Sequence, residues 1–181
     1  MLAKAAVGRT RLSVLDWGGG VGQHYLLSRG ALPELELSYH CRDLPLVCEL
    51  GRELNPDVTF YDDDGCFQRR YDLVVASNSL QYNEDWRDGL RKLGRAAIDC
   101  LYVAQLPTVL DTGSFVAVQR PYGYGFDTEY LGWIFNRDEF LSAVDSLGLE
   151  VTREFFFGNS VDVHGVGEPA VHRGFLMRPR G

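Results

Sequence analysis

Lysine is nearly absent from this 181-residue chain, which carries only Lys4 and Lys92. With a formal net charge of −7 and a pI near 5.0, the chain offers no broad basic face, so no nucleic-acid partner is expected. The denser basic spots, Arg69-Arg70 and Arg178 to Arg180, read as solvated turn and tail. Cys41, Cys48, Cys66 and Cys100 form no CxxC pair. They are expected to be reduced thiols, Cys41 and Cys100 as core filler, with no metal site. No apolar run approaches the ~20 residues needed to span a bilayer, so no membrane contact is expected. Met1 to Arg11 lacks the apolar stretch of a secretory signal, which makes the cytoplasm the expected compartment. Repeats, low-complexity tracts and Pro/Ser-rich linkers are missing as well.

What is present is an ordinary globular composition, 45% hydrophobic and 24% charged. A single domain over 1–181 is expected, large enough to bury roughly 70% of its unfolded surface without covalent staples. Short apolar runs alternate with amphipathic stretches, the pattern of βαβ units around a mostly parallel sheet. Strands are expected at Arg11 to Asp16, Glu36 to Cys41, Val58 to Tyr61, Tyr71 to Ala76, Cys100 to Leu106, Val151 to Phe157 and Arg173 to Arg178. Helices are expected after the first glycines until about Gly30, from Pro45 to Leu54, over Asp85 to Ala97, and after Asn136. Pro45 suits a first helical turn, and Asn136 with Glu139 makes a capping box.

Gly18, Gly19, Gly20 and Gly22 lie between the first strand and its helix. Such a loop presents free N–H groups at an electropositive helix end and can hold a phosphate or a carboxylate. The dinucleotide spacing G-x-G-x-x-G is not met, because the last position falls on Gln23 or Tyr25, and the Lys-Ser/Thr of a P-loop is missing. Asp16, at the strand end, would repel a pyrophosphate and pair with the ammonium of a methionine moiety. The loop therefore points to S-adenosylmethionine, although the same glycines would also serve a tight turn without a ligand. Asp43, after the second strand, is placed for a ribose diol or, alternatively, for a helix dipole. Asp62 and Asp63, after the third strand, are both candidates for the adenine.

The run Val14-Leu15-Asp16-Trp17-Gly18-Gly19-Gly20-Val21-Gly22 resembles motif I of class I S-adenosylmethionine-dependent methyltransferases, and Tyr71 to Tyr82 resembles their fourth-strand motif. More narrowly, the chain is similar to a family of predicted methyltransferases associated with bacterial cell-surface polysaccharide genes. That match rests on Asp16 to Gly20, Leu80-Gln81-Tyr82, Val118-Gln119-Arg120 and Trp133 to Arg137, and spans about residues 12 to 150. The resemblance implies a Rossmann-like α/β fold: a mostly parallel seven-stranded sheet, an antiparallel C-terminal hairpin and helices on both faces. It puts Asp16, Gly18, Gly20 and Gly22 on the methionine end and Asp43 with Leu44 on the ribose. Asp62 or Asp63 falls near adenine, with Ser77, Asn78, Gln81 and Tyr82 along the floor. Relatives of this kind carry N-terminal helices that close over the acceptor. Here Met1 to Leu15 precede Asp16, so the acceptor side is expected to be open or covered by a homodimer partner or another subunit, unless the start is truncated.

Residues 107–135 are unusually aromatic (Phe115, Tyr122, Tyr124, Phe126, Tyr130, Trp133, Phe135). A segment of that length suits a substrate-side insertion or lid, or else a hairpin packing its aromatics into the core or an interface. Arg120 is a candidate for an acceptor carboxylate or phosphate, with Tyr122 beside it. His24 and Tyr82 are the candidates for a catalytic group. The expected activity is methylation of a small molecule or sugar at oxygen or nitrogen. A degenerate subunit acting as a binding or scaffold partner is the alternative, and a nicotinamide-dependent oxidoreductase is disfavoured by the glycine spacing.

Overall fold

The computed structural model describes residues 1–180; Gly181 and the side chain of Tyr124 lie outside the described residues. In chain order the elements are α1 (Leu2–Ala5), β1 (Arg11–Trp17), α2 (Gln23–Ala31), β2 (Glu36–Arg42), α3 (Pro45–Leu54), β3 (Thr59–Tyr61) and β4 (Tyr71–Ser77). There follow α4 (Trp86–Ala96), β5 (Ala97–Val109), β6 (Phe115–Gln119), β7 (Tyr130–Asn136), α5 (Arg137–Ser146), β8 (Leu149–Val161) and β9 (Ala170–Pro179).

Helix starts follow local chemistry. Pro45 opens α3, and Asp85 caps α4 through the Asp88 amide at 3.0 Å. Asn136 caps α5 by accepting from the amides of Asp138 and Glu139, both at 3.0 Å. The reciprocal half of the capping box runs through a relay. The Asn136 amide donates to Ser114 Oγ at 2.9 Å, and that hydroxyl donates in turn to Glu139 Oε2 at 2.5 Å.

The sheet runs β3-β2-β1-β4-β5, all parallel, and continues with β9 antiparallel to β5 and β8 antiparallel to β9. These are the seven strands expected from the sequence. Two more occupy the aromatic segment, for which a lid or a hairpin is expected, where β6 and β7 form an antiparallel hairpin. Thr108 fixes the hairpin's place, because it pairs with Val171 of β9 and also with Phe135 of β7. The β4–β5 ladder ends at the Ser77–Ala104 pair. Beyond it β7 takes the edge of β5 that β4 has vacated, above the carboxyl end of β4.

Alternate residues of each strand face opposite layers. Leu15, Val74 and Leu101 pack with Trp86, Leu90 and Phe140 of α4 and α5. Leu12, Val14 and Leu73 pack with Tyr25 and Cys48 of α2 and α3. Helices thus cover both faces. Among the described residues, no helix is long and apolar enough to cross a membrane.

Candidate functional site

In open α/β sheets ligands bind beyond the carboxyl ends of the strands, and here the ends of β1, β2 and β4 are bound into one assembly. The Gly18 amide donates to the Arg42 carbonyl at 2.7 Å, and Ser79 Oγ donates to the Trp17 carbonyl at 2.8 Å. This closeness requires glycine. Gly18 sits at φ +76°, and a Cβ there would lie 2.3 Å from Ser79 Cβ. Gly22, at φ +86°, is the N-cap of α2.

Asp43 accepts from the Gly20 amide through Oδ2 at 2.8 Å and from the Leu44 amide through Oδ1 at 2.7 Å. Each oxygen of a carboxylate has about two acceptor positions, so one on each remains for a ligand. Asp16 is 1% exposed. Its Oδ2 accepts from Tyr39 Oη at 2.9 Å and pairs with His24 Nδ1 at 3.0 Å. Its Oδ1 is buried without a protein partner. The Asp16 hydrogen bond raises the His24 pKa against the opposing effect of burial, while burial, with the Asp16 charge, pushes the Tyr39 hydroxyl up.

A cleft of about 730 Å³ opens over this assembly, and of the sequence candidates Gly18, Asp43, Leu44, Asn78 and Tyr82 line it. Asn78 holds a left-handed backbone (φ +54°), steadied by Gln81 Nε2 donating to its Oδ1 at 2.6 Å. Gln81 itself is 2% exposed, so it braces the floor. Ser77 and His24 line a separate pocket of about 310 Å³ on the α2 side of β4. Gly20 and Gly22 shape the loop. Asp62 and Asp63 stand outside both spaces: Asp62 pairs with Arg52 at 3.6 Å, and Asp63 caps the turn over 64–68 through the Gly65 amide at 2.8 Å.

Arg120 and Tyr122 also lie away from the cleft. Both donate to Glu129 Oε1 at 2.7 Å, at the exposed tip of the hairpin. The hairpin reaches the cleft instead through Tyr130 and Leu131. The Tyr130 ring meets Tyr82 edge-on at 5.5 Å, and Tyr82 Oη donates to Gln119 Oε1 at 3.2 Å. Sequence reasoning missed Leu131, Trp17, Arg42, Asn83 and Glu84 as lining residues and named Tyr130 only among the aromatics of its segment. The Arg42 guanidinium lies 5.6 Å from the Trp17 ring centroid, a contact that the adjacent strand ends could have suggested. A further depression of about 530 Å³ runs along α5, bordered by Arg87, Ser142 and Ser146, apart from the strand ends. Among the described residues, no group of three or more His, Cys, Asp or Glu is placed to hold a metal ion.

No family model and no curated protein matches the chain. Solved structures do. An S-adenosylmethionine-dependent methyltransferase from Methanosarcina mazei superposes with a TM-score of 0.69 at 13% identity, over 95% of this chain and 94% of that one. Magnesium protoporphyrin IX methyltransferase from Synechocystis PCC 6803, with bound S-adenosylmethionine, gives 0.64 at 14% identity, over 98% and 76%. A structure described as a pericyclic reaction enzyme gives 0.62 at 14% identity, over 99% and 47%. The fold is therefore the Rossmann-like methyltransferase fold, and proteins that share it are not confined to one chemistry.

Proposed function

We propose that the chain is an S-adenosylmethionine-dependent methyltransferase acting on a small molecule or sugar at oxygen or nitrogen, in the cytoplasm. The observation that carries this reading is Asp43, held against the glycine loop by the Gly20 amide with acceptor capacity left on each oxygen, at the edge of the large cleft. A ribose diol needs such a carboxylate. Leu44 and Asn78 stand beside it, and the orphaned Oδ1 of Asp16 leaves negative charge beneath the loop. An ammonium suits that field and a pyrophosphate does not, which favours the methionine-bearing cofactor over a nicotinamide dinucleotide. The donor set thus fits S-adenosylmethionine.

When bound, the cofactor supplies a methyl group activated by its sulfonium. The work left to the protein is to hold donor and acceptor in line, and much of the rate can come from that positioning. Gly18 and Asp43 fix the donor side. Tyr82, Tyr130 and Leu131 line the same cleft and supply its apolar wall for the acceptor. The narrower resemblance to proteins of polysaccharide gene clusters is what speaks for a sugar.

Calorimetric titration with S-adenosylhomocysteine, with NAD as control, tests the reading. Saturable binding of the former alone is expected. Binding of NAD alone, or of neither compound, would overturn it.

A further inference from the structure

We propose that Trp17 and Arg42 form a carboxylate-binding subsite on the floor of the large cleft. The subsite rests on the cofactor reading above and deepens it by naming a chemical group that the cleft's occupants bring.

Two adjacent hydrogen-bond donors lie there without acceptors. Trp17 is 7% exposed, and its Nε1 is buried with no hydrogen-bond partner. Arg42 Nε is buried and unpartnered in the same way. The two residues pair across the ends of β1 and β2, the guanidinium carbon lies 5.6 Å from the indole ring centroid, and both line the cleft. Buried polar groups in native proteins are hydrogen-bonded with few exceptions, and a buried indole N–H ordinarily finds an acceptor. Neither side chain can accept, so the pair does not satisfy itself. The indole face steadies the guanidinium and leaves its N–H groups unused.

The protein's own carboxylates do not fill the place. Asp43 accepts from the Gly20 and Leu44 amides, and Glu84 stands exposed at the rim. Arg52 and Arg120 each hold a carboxylate, whereas among the described residues Arg42 holds none.

Donor-only groups side by side match the paired oxygens of an anion. Charge favours a carboxylate over a phosphate. Among the described residues lining the cleft, Arg42 is the cation and Asp43 and Glu84 are the anions. A carboxylate adds one negative charge to that set, and a phosphate adds up to about two.

On the cofactor reading, two molecules bring carboxylates to this edge. S-adenosylmethionine carries one on its methionine, and an acceptor carries one if it is a small acid or an acidic sugar. Trp17 packs in the layer of Trp86 and Leu90, whereas Asp16 faces Tyr39 and His24 in the other layer. Asp16 is the group read above as facing the methionine ammonium. Ammonium and carboxylate sit on one carbon atom of the cofactor, so this separation favours the acceptor as the source.

Calorimetric titrations of wild type, Arg42→Met and Trp17→Phe test the subsite. The first variant removes the charge and keeps an aliphatic stem; the second removes the N–H and keeps an aromatic ring. The probes are S-adenosylhomocysteine, its decarboxylated analogue that keeps the amine, and benzoate added to protein saturated with S-adenosylhomocysteine, with benzyl alcohol as the neutral control. If the acceptor is the source, benzoate binds saturably and benzyl alcohol does not. Arg42→Met then weakens benzoate binding at least about tenfold, Trp17→Phe weakens it less, and S-adenosylhomocysteine affinity holds within about threefold. If the cofactor is the source, wild type prefers S-adenosylhomocysteine to its decarboxylated analogue by about tenfold or more, and both variants reduce that preference. Equal weakening of both nucleosides in Arg42→Met would assign Arg42 to the adenosine and overturn the proposal. So would a wild type that shows neither benzoate binding nor that preference, or titrations that both variants leave unchanged. A wild type that binds no S-adenosylhomocysteine fails the cofactor reading alone; benzoate is then titrated into the free protein, where the same dependence on Arg42 and Trp17 is expected.

Discussion

His40 is 4% exposed on β2, its ring 5.1 Å from that of Tyr71 and its nitrogens within reach of Ser38 Oγ and Tyr61 Oη. Burial, assisted by the Arg69 charge, lowers its pKa to about 4. The unfolded chain takes up this proton near 6.5, so between the two values it binds more protons than the native state. Stability should therefore fall by about 3 kcal/mol as the pH drops from 6.5 to 4. Urea titrations of wild type and His40→Gln across that range check this; the variant should show a much flatter profile. Gly18 is a second single-residue test. Gly18→Ala combines a left-handed backbone with a Cβ 2.3 Å from Ser79. It should cost about 1–3 kcal/mol and weaken S-adenosylhomocysteine binding at least tenfold, read by denaturation and calorimetry. At this scale the sequence was legible where a residue's chemistry is local. Gly18 and Asp43 line the large cleft, and Asp16 lies buried at the end of β1 against Tyr39 and His24. Asp63 and Arg120 take partners two and nine residues away, Gly65 and Glu129, and spacing alone does not reveal such local competition.

The sequence leaves the aromatic segment open between a lid and a hairpin, because the strands of the β6–β7 hairpin are joined by ten residues, 120–129, rather than by a tight turn whose residues announce it. Its position above β4 depends on two pairings to the end of β5, which no local pattern encodes. Replacing residues 120–129 with Asn-Gly should preserve the Gln119–Tyr130 register. S-adenosylhomocysteine affinity should hold within about threefold, since Tyr82, Tyr130 and Leu131 remain; calorimetry measures it. The start of α5, by contrast, was legible in Asn136 and Glu139, though the Ser114 relay was not. Asn136 also donates from Nδ2 to the carbonyls of Leu110 and Thr112 at 3.0 and 2.9 Å. Asn136→Ala therefore removes a cap and two tertiary hydrogen bonds, and should destabilise by about 2–3 kcal/mol in equilibrium denaturation.

For the molecule as a whole, the alternation of β-rich runs with amphipathic helices made the parallel half of the sheet legible. Strand order beyond β5 came from resemblance, since periodicity does not specify neighbours. The outer reach of β8, residues 158–161, escaped because residues such as Val161, 50% exposed, carry no alternation between core and solvent. The division of the ligand-bearing edge into a large cleft and a smaller pocket, with the carboxyl end of β4 between them, was equally invisible, because it arises from how α1, α2 and the hairpin meet that edge.

The central claim is that S-adenosylmethionine occupies the cleft between the glycine loop, Asp43 and Asn78. Amide NMR spectra recorded during a titration with S-adenosylhomocysteine test it most directly. The amides of Gly18, Gly20, Leu44 and Asn78 should shift together and saturate with a single affinity. Unmoved amides at these four positions, or shifts confined to the depression along α5, would contradict it.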